Sequence, residues 1–348
     1  MRESRHIAAT NGDKPALSMK DVDPDRLPYH ERLRGRAARY PTDIGWRGWW
    51  DILHRLVQRI GVDNLGLIPA GVTFYVFLAL IPAVIAIVTI YGLATDDVTL
   101  SNHVDVLDGY LPKQSLDWIA GEISRIARVR QEGLTVTFAT SVLLSFWAMN
   151  NAVVALFGAM NIAYGEREGR TLIQFYLRCF AFTFGAITVG LVMIAVIIVL
   201  PLAMSLVTDK ALAYGGRRVT APLLFIVVAF AAGAIYRIGP CRRGARWPWI
   251  APGAVGVAIG WIAASTLLSW YLSNVANYAF MYGSLGTVIA FMFWLYISVY
   301  ILLIGAWANA EVERQTLIDT TIGPARPIGE RGAYVADSVG EQAGASRE

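Results

Sequence analysis

An all-α, polytopic membrane protein is the fold class that this sequence predicts, and three observations lead to it. The chain has 348 residues, of which 55% are hydrophobic and only 16% are charged, whereas an ordinary soluble domain has about 25% charged residues. The charged residues leave five long uncharged runs between them, and the 30 Lys and Arg residues are spread unevenly around those runs. This composition excludes a disordered chain and a disulfide-stapled secreted domain, and it argues strongly against a soluble enzyme.

The uncharged runs predict six membrane-spanning helices. A helix needs about 20 apolar residues to cross the hydrocarbon core of a bilayer. Four runs have room for one such helix, and the fifth, from Trp247 to Ala310, has room for two helices with a polar turn between them. We therefore predict spans at 67–93, 136–161, 180–206, 219–236, 249–272 and 285–309.

The remaining segments divide the chain into a membrane domain and two tails. Residues 1–45 and 315–348 are polar, so we expect mobile tails on either side of a membrane domain at 46–314. The long connection 96–132 follows the first span and carries apolar residues at helical spacing. It predicts one or two short amphipathic helices beside the bundle.

Residues 46–60 predict a further amphipathic helix ahead of the first span. Trp49, Leu53, Leu56 and Ile60 recur at helical spacing, with charged residues on the other faces. Tryptophan flanked by arginine is typical of an interfacial helix that lies in the headgroup layer of a membrane. The same pattern also fits a helix packed on the bundle, and the two interpretations are compatible.

The distribution of Lys and Arg predicts the orientation. With both termini in the cytoplasm, 23 of the 30 basic residues lie on the cytoplasmic side and 7 on the outside, as the positive-inside rule favours. We therefore expect a multi-pass protein of the bacterial inner (plasma) membrane. The polar first 45 residues contain no apolar signal-peptide core, so the first span is expected to direct insertion.

Polar residues inside the second predicted span form the main candidate site. No predicted span has a charged residue away from its ends, which weakens the interpretation as a carboxylate-based pump. Small hydroxyl and amide side chains in a span favour either close helix packing or a polar cavity within the membrane. The candidate cavity residues are Ser141, Ser145, Asn150, Asn151 and Asn161.

The last two spans contribute two more candidate features. The uncharged turn between them predicts an outer gate, or a tight connection in the headgroup layer where tyrosines concentrate. Gly256 and Gly260 have the GxxxG spacing that predicts close helix packing. The candidate gate residues in the turn are Asn274, Asn277, Tyr278 and Tyr282.

Motifs of enzymes and metal sites are missing from the sequence. None of the four histidines has a second His or Cys at metal-binding spacing, and there is no HExxH, Walker loop or GxSxG motif. We therefore expect no catalytic residue, no metal, no cofactor and no enzymatic activity. Too few aromatic residues interleave with the basic N-terminal segment to stack on nucleic acid. The expected partners are membrane lipids, and a homo-oligomer is left open.

Three stretches of this sequence resemble one known family. They run from Phe74 to Pro82, from Trp147 to Arg170, and from Tyr282 to Glu311. Their order and spacing are similar to those of the YihY/BrkB family of bacterial inner-membrane proteins, over about 46–314. The resemblance implies six helical spans, and some members are linked to serum resistance or to transport of lipids or cations. The family has no agreed catalytic residues, and this chain has Trp307-Ala308 where a Glu-Leu pair is typical.

These observations favour a transporter of lipid or lipid-linked envelope material, because a lipid path tolerates an uncharged interior. One alternative is a cation/proton antiporter that uses carbonyl, Asn and Ser ligands. Another is a scaffold for envelope assembly. Some family members have been named ribonuclease BN, but the sequence supplies no catalytic groups for a ribonuclease.

Overall fold

The computed structural model describes residues 27–62, 66–94, 131–205, 210–274 and 285–343. Within these residues the chain forms eight α-helices, one short 3-10 helix at Pro41–Asp43 and no β-strand. The all-α prediction is confirmed. The helices are α1 (Tyr29–Leu33), α2 (Trp46–Val62), α3 (Leu67–Ala94), α4 (Gln131–Tyr164), α5 (Leu172–Ser205), α6 (Lys210–Ile238), α7 (Trp247–Asn274) and α8 (Leu285–Glu313).

Each of the six predicted spans coincides with one long helix, from α3 to α8. Four of the helices contain a stretch long and apolar enough to cross a membrane, in α4, α5, α7 and α8. The described apolar stretches of α3 and α6 are shorter, at Leu67–Leu80 and Leu224–Ile238. The chain therefore has the architecture of a polytopic membrane protein, and the number of six spans stays a prediction. The predicted helices at 96–132 lie outside the described residues.

The long helices form a closed ring. Each contacts the next along the chain from α3 to α8, and α8 returns to contact α3, with further contacts to α4 and α2. The main core lies at one end of this ring, where α4 and α6 end, α7 begins and α8 ends. Its largest fully buried side chains are Met160, Tyr164, Tyr236, Ile250, Leu303 and Trp307.

Polar segments cover this end of the ring. We call them the cap, which comprises residues 27–45, 165–171, 239–246 and 314–343. The described parts of the two predicted tails, 27–45 and 315–343, pack on the helix ends, and the boundaries at 45 and 314 stay predictions. Gln315, Thr316 and Val335 are buried, and Leu317 N–H donates to Arg36 O at 2.8 Å.

Hydrogen bonding explains how these polar segments become buried. The buried Arg36 guanidinium donates to the carbonyl oxygen of Gly340 at 2.6 Å, and Arg331 donates to those of Ala336 and Leu317 at 2.7 and 2.6 Å. Burial, together with the nearby charge of Arg55, lowers the pKa of Arg36 to about 10. Buried polar groups are tolerated when they are hydrogen-bonded, so the cap needs no apolar periodicity.

Helix α2 shows an unusual distribution of polarity. Asp51, Ile52 and Arg55 are buried against the cap and α8, whereas the side of α2 away from them exposes Trp46 at 75% and Trp50 at 59%. A helix on a water-facing surface would expose its charges and bury its tryptophans. The arrangement agrees with the predicted interfacial helix, whose position in the headgroup layer stays a prediction.

The close approach of α7 and α8 differs from the one predicted. A Cβ atom at Gly253 would meet the carbonyl oxygen of Gly305, and one at Gly305 would meet Tyr236 and Val257. Gly256 instead faces open space, and only Gly260 of the predicted pair approaches α8, where an added Cβ atom would lie 3.2 Å from Ile301. The GxxxG spacing locates the right helix, but the contact is centred one turn closer to the cap.

We expect Gly253→Ala to destabilise the protein by about 1–3 kcal/mol, because the added methyl overpacks the α7–α8 contact. Gly256→Ala is the matched control, since the same methyl enters open space and alanine favours a helix over glycine by about 1 kcal/mol. Thermal unfolding of both purified variants in detergent measures the difference. Equal melting temperatures would contradict the assignment of Gly253 as the packing glycine.

Candidate functional site

A groove of about 990 Å³ runs between α5 and α6 beside the cap. Small and apolar side chains line both walls, and the groove lies open on one side. Phe184, which neighbours the lining residues on α5, and Phe230, which lines the α6 wall, are both exposed. The wall of α5 consists of Ala181, Phe182, Gly185, Ala186 and Val189, and that of α6 consists of Ile226, Val227, Phe230, Ala231, Ala234 and Ile235.

The length of the described part of the groove follows from the helices that form it. Its lining residues run from Arg178 to Val189 on α5 and from Ile226 to Ile238 on α6. At a rise of 1.5 Å per residue, each wall is about 16–18 Å long. The hydrocarbon core of one leaflet is about 15 Å, half of the whole core. The described part of each wall is therefore about as long as one leaflet.

Three arginines line the groove at its capped end, and they differ in whether a carboxylate neutralises their charge. Arg242 is paired with Glu313, as described below. Arg237 lies over the ring of Trp247, with its guanidinium carbon 4.9 Å from the centroid. No carboxylate in the described part of the chain pairs with Arg178 or Arg237. The capped end of the groove thus carries two positive charges without an acidic partner among the described residues.

The Arg242–Glu313 pair is the buried centre of the cap. The Nη1 and Nη2 atoms of Arg242 donate to Glu313 at 2.9 and 2.7 Å, and the guanidinium lies 4.2 Å from the ring centroid of Tyr164. The hydroxyl of Thr320 donates to Glu313 at 2.9 Å. Burial opposes the charge on Arg242, but the charge and hydrogen bonds of Glu313 outweigh burial and raise the pKa of Arg242.

A second buried carboxylate, Glu311, joins α8 to α2. Arg55 Nε donates to one of its oxygens at 2.7 Å. Arg59 and Arg314 donate to the other at 3.0 and 2.9 Å. Arg55 also donates to the side-chain oxygen of Gln315 at 2.7 Å. Sequence reasoning missed both carboxylates, although two glutamates at the end of a 64-residue uncharged run were a usable signal.

Asn309 fastens α8 to the first turns of α7. Its side chain accepts a hydrogen bond from Gly253 N–H at 2.7 Å and donates to Ile250 O at 2.9 Å. Pro252 stands between these two residues, and a proline inside a helix disturbs the backbone hydrogen bonds of the preceding turn. Asn309 therefore satisfies polar backbone groups next to this proline and holds α7 against α8.

Asn161, a predicted cavity residue, lies in the last turn of α4 and bonds to the cap. Its side chain donates to Glu168 at 2.8 Å and accepts from Cys241 N–H at 2.7 Å. Glu168 also accepts from Arg170 Nε at 2.7 Å. Partial burial raises the pKa of Glu168, but the hydrogen bonds from Arg170 and Asn161 outweigh it, so the net pKa is lowered.

The other four predicted cavity residues do not line the groove. Asn150 is buried and accepts a hydrogen bond from Thr183 of α5 at 3.5 Å. Asn151 donates to Trp147 O of its own helix at 3.0 Å. Ser141 is buried, and the buried hydroxyl of Ser145 has no hydrogen-bond partner among the described residues. A polar cavity formed by these residues stays a prediction.

Of the predicted gate, only Asn274 lies within the described residues. Its exposed side chain donates to Trp270 O at 2.8 Å, and it lines a shallow hollow of about 550 Å³ on α7. Asn277, Tyr278 and Tyr282 lie outside the described residues, so the gate stays a prediction. Within the described ranges, no three His, Cys, Asp or Glu residues are grouped to hold a metal ion.

Comparison with known proteins places this chain in a family of membrane proteins. The family model described as "Virulence factor BrkB" matches residues 56–328. The chain is 28% identical to "Putative ribonuclease-like protein YfkH" of Bacillus subtilis (strain 168), over 71% of this chain and 89% of the relative. It is 25% identical to a "UPF0761 membrane protein" of Delftia acidovorans, over 75% of this chain and 62% of the relative.

Another relative is also longer than the region that matches this chain. The chain is 26% identical to "UPF0761 membrane protein Mpe_A1422" of Methylibium petroleiphilum, over 78% of this chain and 65% of that relative. The chain thus spans less than two thirds of the length of these UPF0761 relatives. No solved structure matches it.

Proposed function

Because this chain belongs to the Virulence factor BrkB family of membrane proteins, we propose that it transports a lipid or lipid-linked envelope molecule within the membrane. The groove between α5 and α6 holds the apolar part of that molecule. The single observation that carries this proposal is the open, apolar groove between α5 and α6 that ends at a cluster of arginines.

The shape and lining of the groove support a lipid better than a small hydrophilic solute. Its walls expose aromatic and aliphatic side chains, whereas sites for ions or sugars need several converging polar groups. An acyl chain that leaves the bilayer for this groove stays in apolar surroundings, and van der Waals contacts with the walls hold it. The open side lets a chain enter laterally from the bilayer.

The proposed location is the bacterial inner membrane, with the cap in the cytoplasm. The positive-inside distribution of 23 against 7 basic residues supports this orientation. The cap contains the short segment with Arg242, Arg243 and Arg246 and both ends of the described chain. In this orientation the groove faces the cytoplasmic leaflet.

Filling the groove tests the proposal. We expect Ala231→Phe to reduce movement of a fluorescent phospholipid between leaflets of reconstituted vesicles by at least about tenfold, because the new ring occupies the space of the acyl chain. Ala231 lines the groove. Ala263→Phe is the matched control, since Ala263 is exposed on α7 and does not line the groove.

Chemical quenching of the fluorophore in the outer leaflet measures the transport rate. Transport that is unchanged in Ala231→Phe would overturn the role of the groove. Wild-type vesicles with no more lipid movement than protein-free vesicles would overturn the proposed function. The antiporter, the scaffold and the ribonuclease remain less favoured, because no feature of the described residues specifically supports any of them.

A further inference from the structure

We infer that the groove selects lipids whose headgroup carries a net negative charge, and that Arg178 and Arg237 bind the phosphate of that headgroup. This inference rests on the proposed function, because it names the class of lipid that the same groove takes. Three observations support it. They are the two arginine charges at the capped end, the lack of carboxylates among the described lining residues, and the aromatic contacts that hold Arg237.

The charge balance singles out two arginines of the cap region. Arg242 donates both terminal nitrogens to Glu313, and Arg170 is paired with Glu168, so their charges are compensated within the protein. Arg178 and Arg237 line the same groove and have no carboxylate partner in the described ranges. A negatively charged ligand at this end neutralises the charges of these two arginines.

The lining of the groove also disfavours zwitterionic lipids. None of the described residues that line it is an aspartate or a glutamate. The ammonium group of a zwitterionic headgroup would therefore lie beside two guanidinium groups and meet no carboxylate. An anionic headgroup without an ammonium group keeps the attraction and avoids this repulsion.

Aromatic contacts hold Arg237 in place at the groove. Its guanidinium lies over Trp247 at 4.9 Å, and the Trp247 ring stacks on Phe230 of the α6 wall at 5.9 Å between centroids. A guanidinium that is already positioned loses little entropy when it binds, and its planar fork suits two oxygens of a phosphate. The aromatic stack places this fork at the end of the apolar wall, where a headgroup would lie.

The experiment compares two lipids with identical acyl chains, phosphatidylglycerol and phosphatidylethanolamine, bound to the full-length protein and measured by native mass spectrometry. An arginine near an anionic headgroup contributes about a fivefold gain in affinity, so we expect the wild type to favour phosphatidylglycerol by about 25-fold. The double variant Arg178→Gln/Arg237→Gln should bind both lipids equally, and Arg178→Gln alone should retain about a fivefold preference.

The matched control is the double variant Arg39→Gln/Arg167→Gln, which removes the same charge from exposed positions of the cap that do not line the groove. It should keep the full preference. A wild type that binds both lipids equally, or a preference that survives in Arg178→Gln/Arg237→Gln, would overturn the inference.

A further variant separates this inference from the proposed function. If Ala231→Phe abolishes binding of both lipids while the wild type shows no preference, the groove is a lipid site without headgroup selection, and only the inference fails. If the wild type binds neither lipid, the inference and the proposed function fail together.

Discussion

The variant Glu313→Gln is expected to lower the free energy of unfolding by about 3–5 kcal/mol, the usual cost of removing one partner of a buried ion pair. The side chain of Arg242 is 1% exposed and that of Glu313 is fully buried. A neutral glutamine removes the carboxylate that pairs with the buried Arg242 charge. Glutamine has nearly the volume of glutamate, so lost packing makes little contribution.

Thermal unfolding in detergent, followed by a dye that reacts with the buried thiol of Cys179, measures this loss. The control is Glu330→Gln, which makes the same chemical change at an exposed position of the cap. The double variant Arg242→Met/Glu313→Leu should recover much of the stability, because it leaves no buried charge. If Glu313→Gln and Glu330→Gln unfold at the same temperature, the Arg242–Glu313 pair is not buried as described.

The second large effect is expected at Glu311. Its carboxylate accepts hydrogen bonds from Arg55, Arg59 and Arg314, so Glu311→Gln leaves three neighbouring guanidinium groups that repel one another. We expect a loss of about 3–5 kcal/mol together with local detachment of α2, which contacts α8 here. Detachment of α2 from α8 distinguishes this variant from Glu313→Gln, in which α2 should stay attached.

Reactivity of a cysteine at position 52 reports this detachment. Ile52 is 3% exposed on the inner face of α2, so Ile52→Cys should resist a thiol reagent in the wild-type background and react in the Glu311→Gln background. Mass spectrometry of the labelled peptide separates this thiol from the native ones. Glu341→Gln changes an exposed carboxylate and should leave the thiol protected. Equal protection in both glutamine variants would argue against the role of Glu311.

The positions of the helices could be predicted from the sequence because charged residues bracket every apolar run. The helix predicted at 285–309 extends to Glu313 in the structure, because Glu311 and Glu313 are paired with arginines and remain buried in its last turn. The two glutamates stand out at the end of an uncharged run, but the sequence does not show which arginines pair with them, so their effect on the end of the helix could not be predicted.

The cap and the groove were beyond sequence reasoning for different reasons. The cap is buried through hydrogen bonds between side chains and backbone, as for Arg36 and Gly340, and such bonds leave no hydrophobic periodicity. The groove is lined by residues such as Ala186 and Val227, which resemble any lipid-facing surface of a span. Spacing identified α7 as a packing helix but could not show which of its glycines faces α8.

The connection of α2 to the cap has a consequence for the order of events during protein synthesis. Arg55 binds Glu311 and the carbonyl oxygen of Glu341, which follow it by 256 and 286 residues. Until those residues leave the ribosome, Arg55 lacks the two partners that it has in the folded chain. Contacts between residues so far apart in sequence form late and slowly. We therefore expect the newly made helices to enter the bilayer as a loosely held group, and the cap to close over them as one of the last steps of assembly.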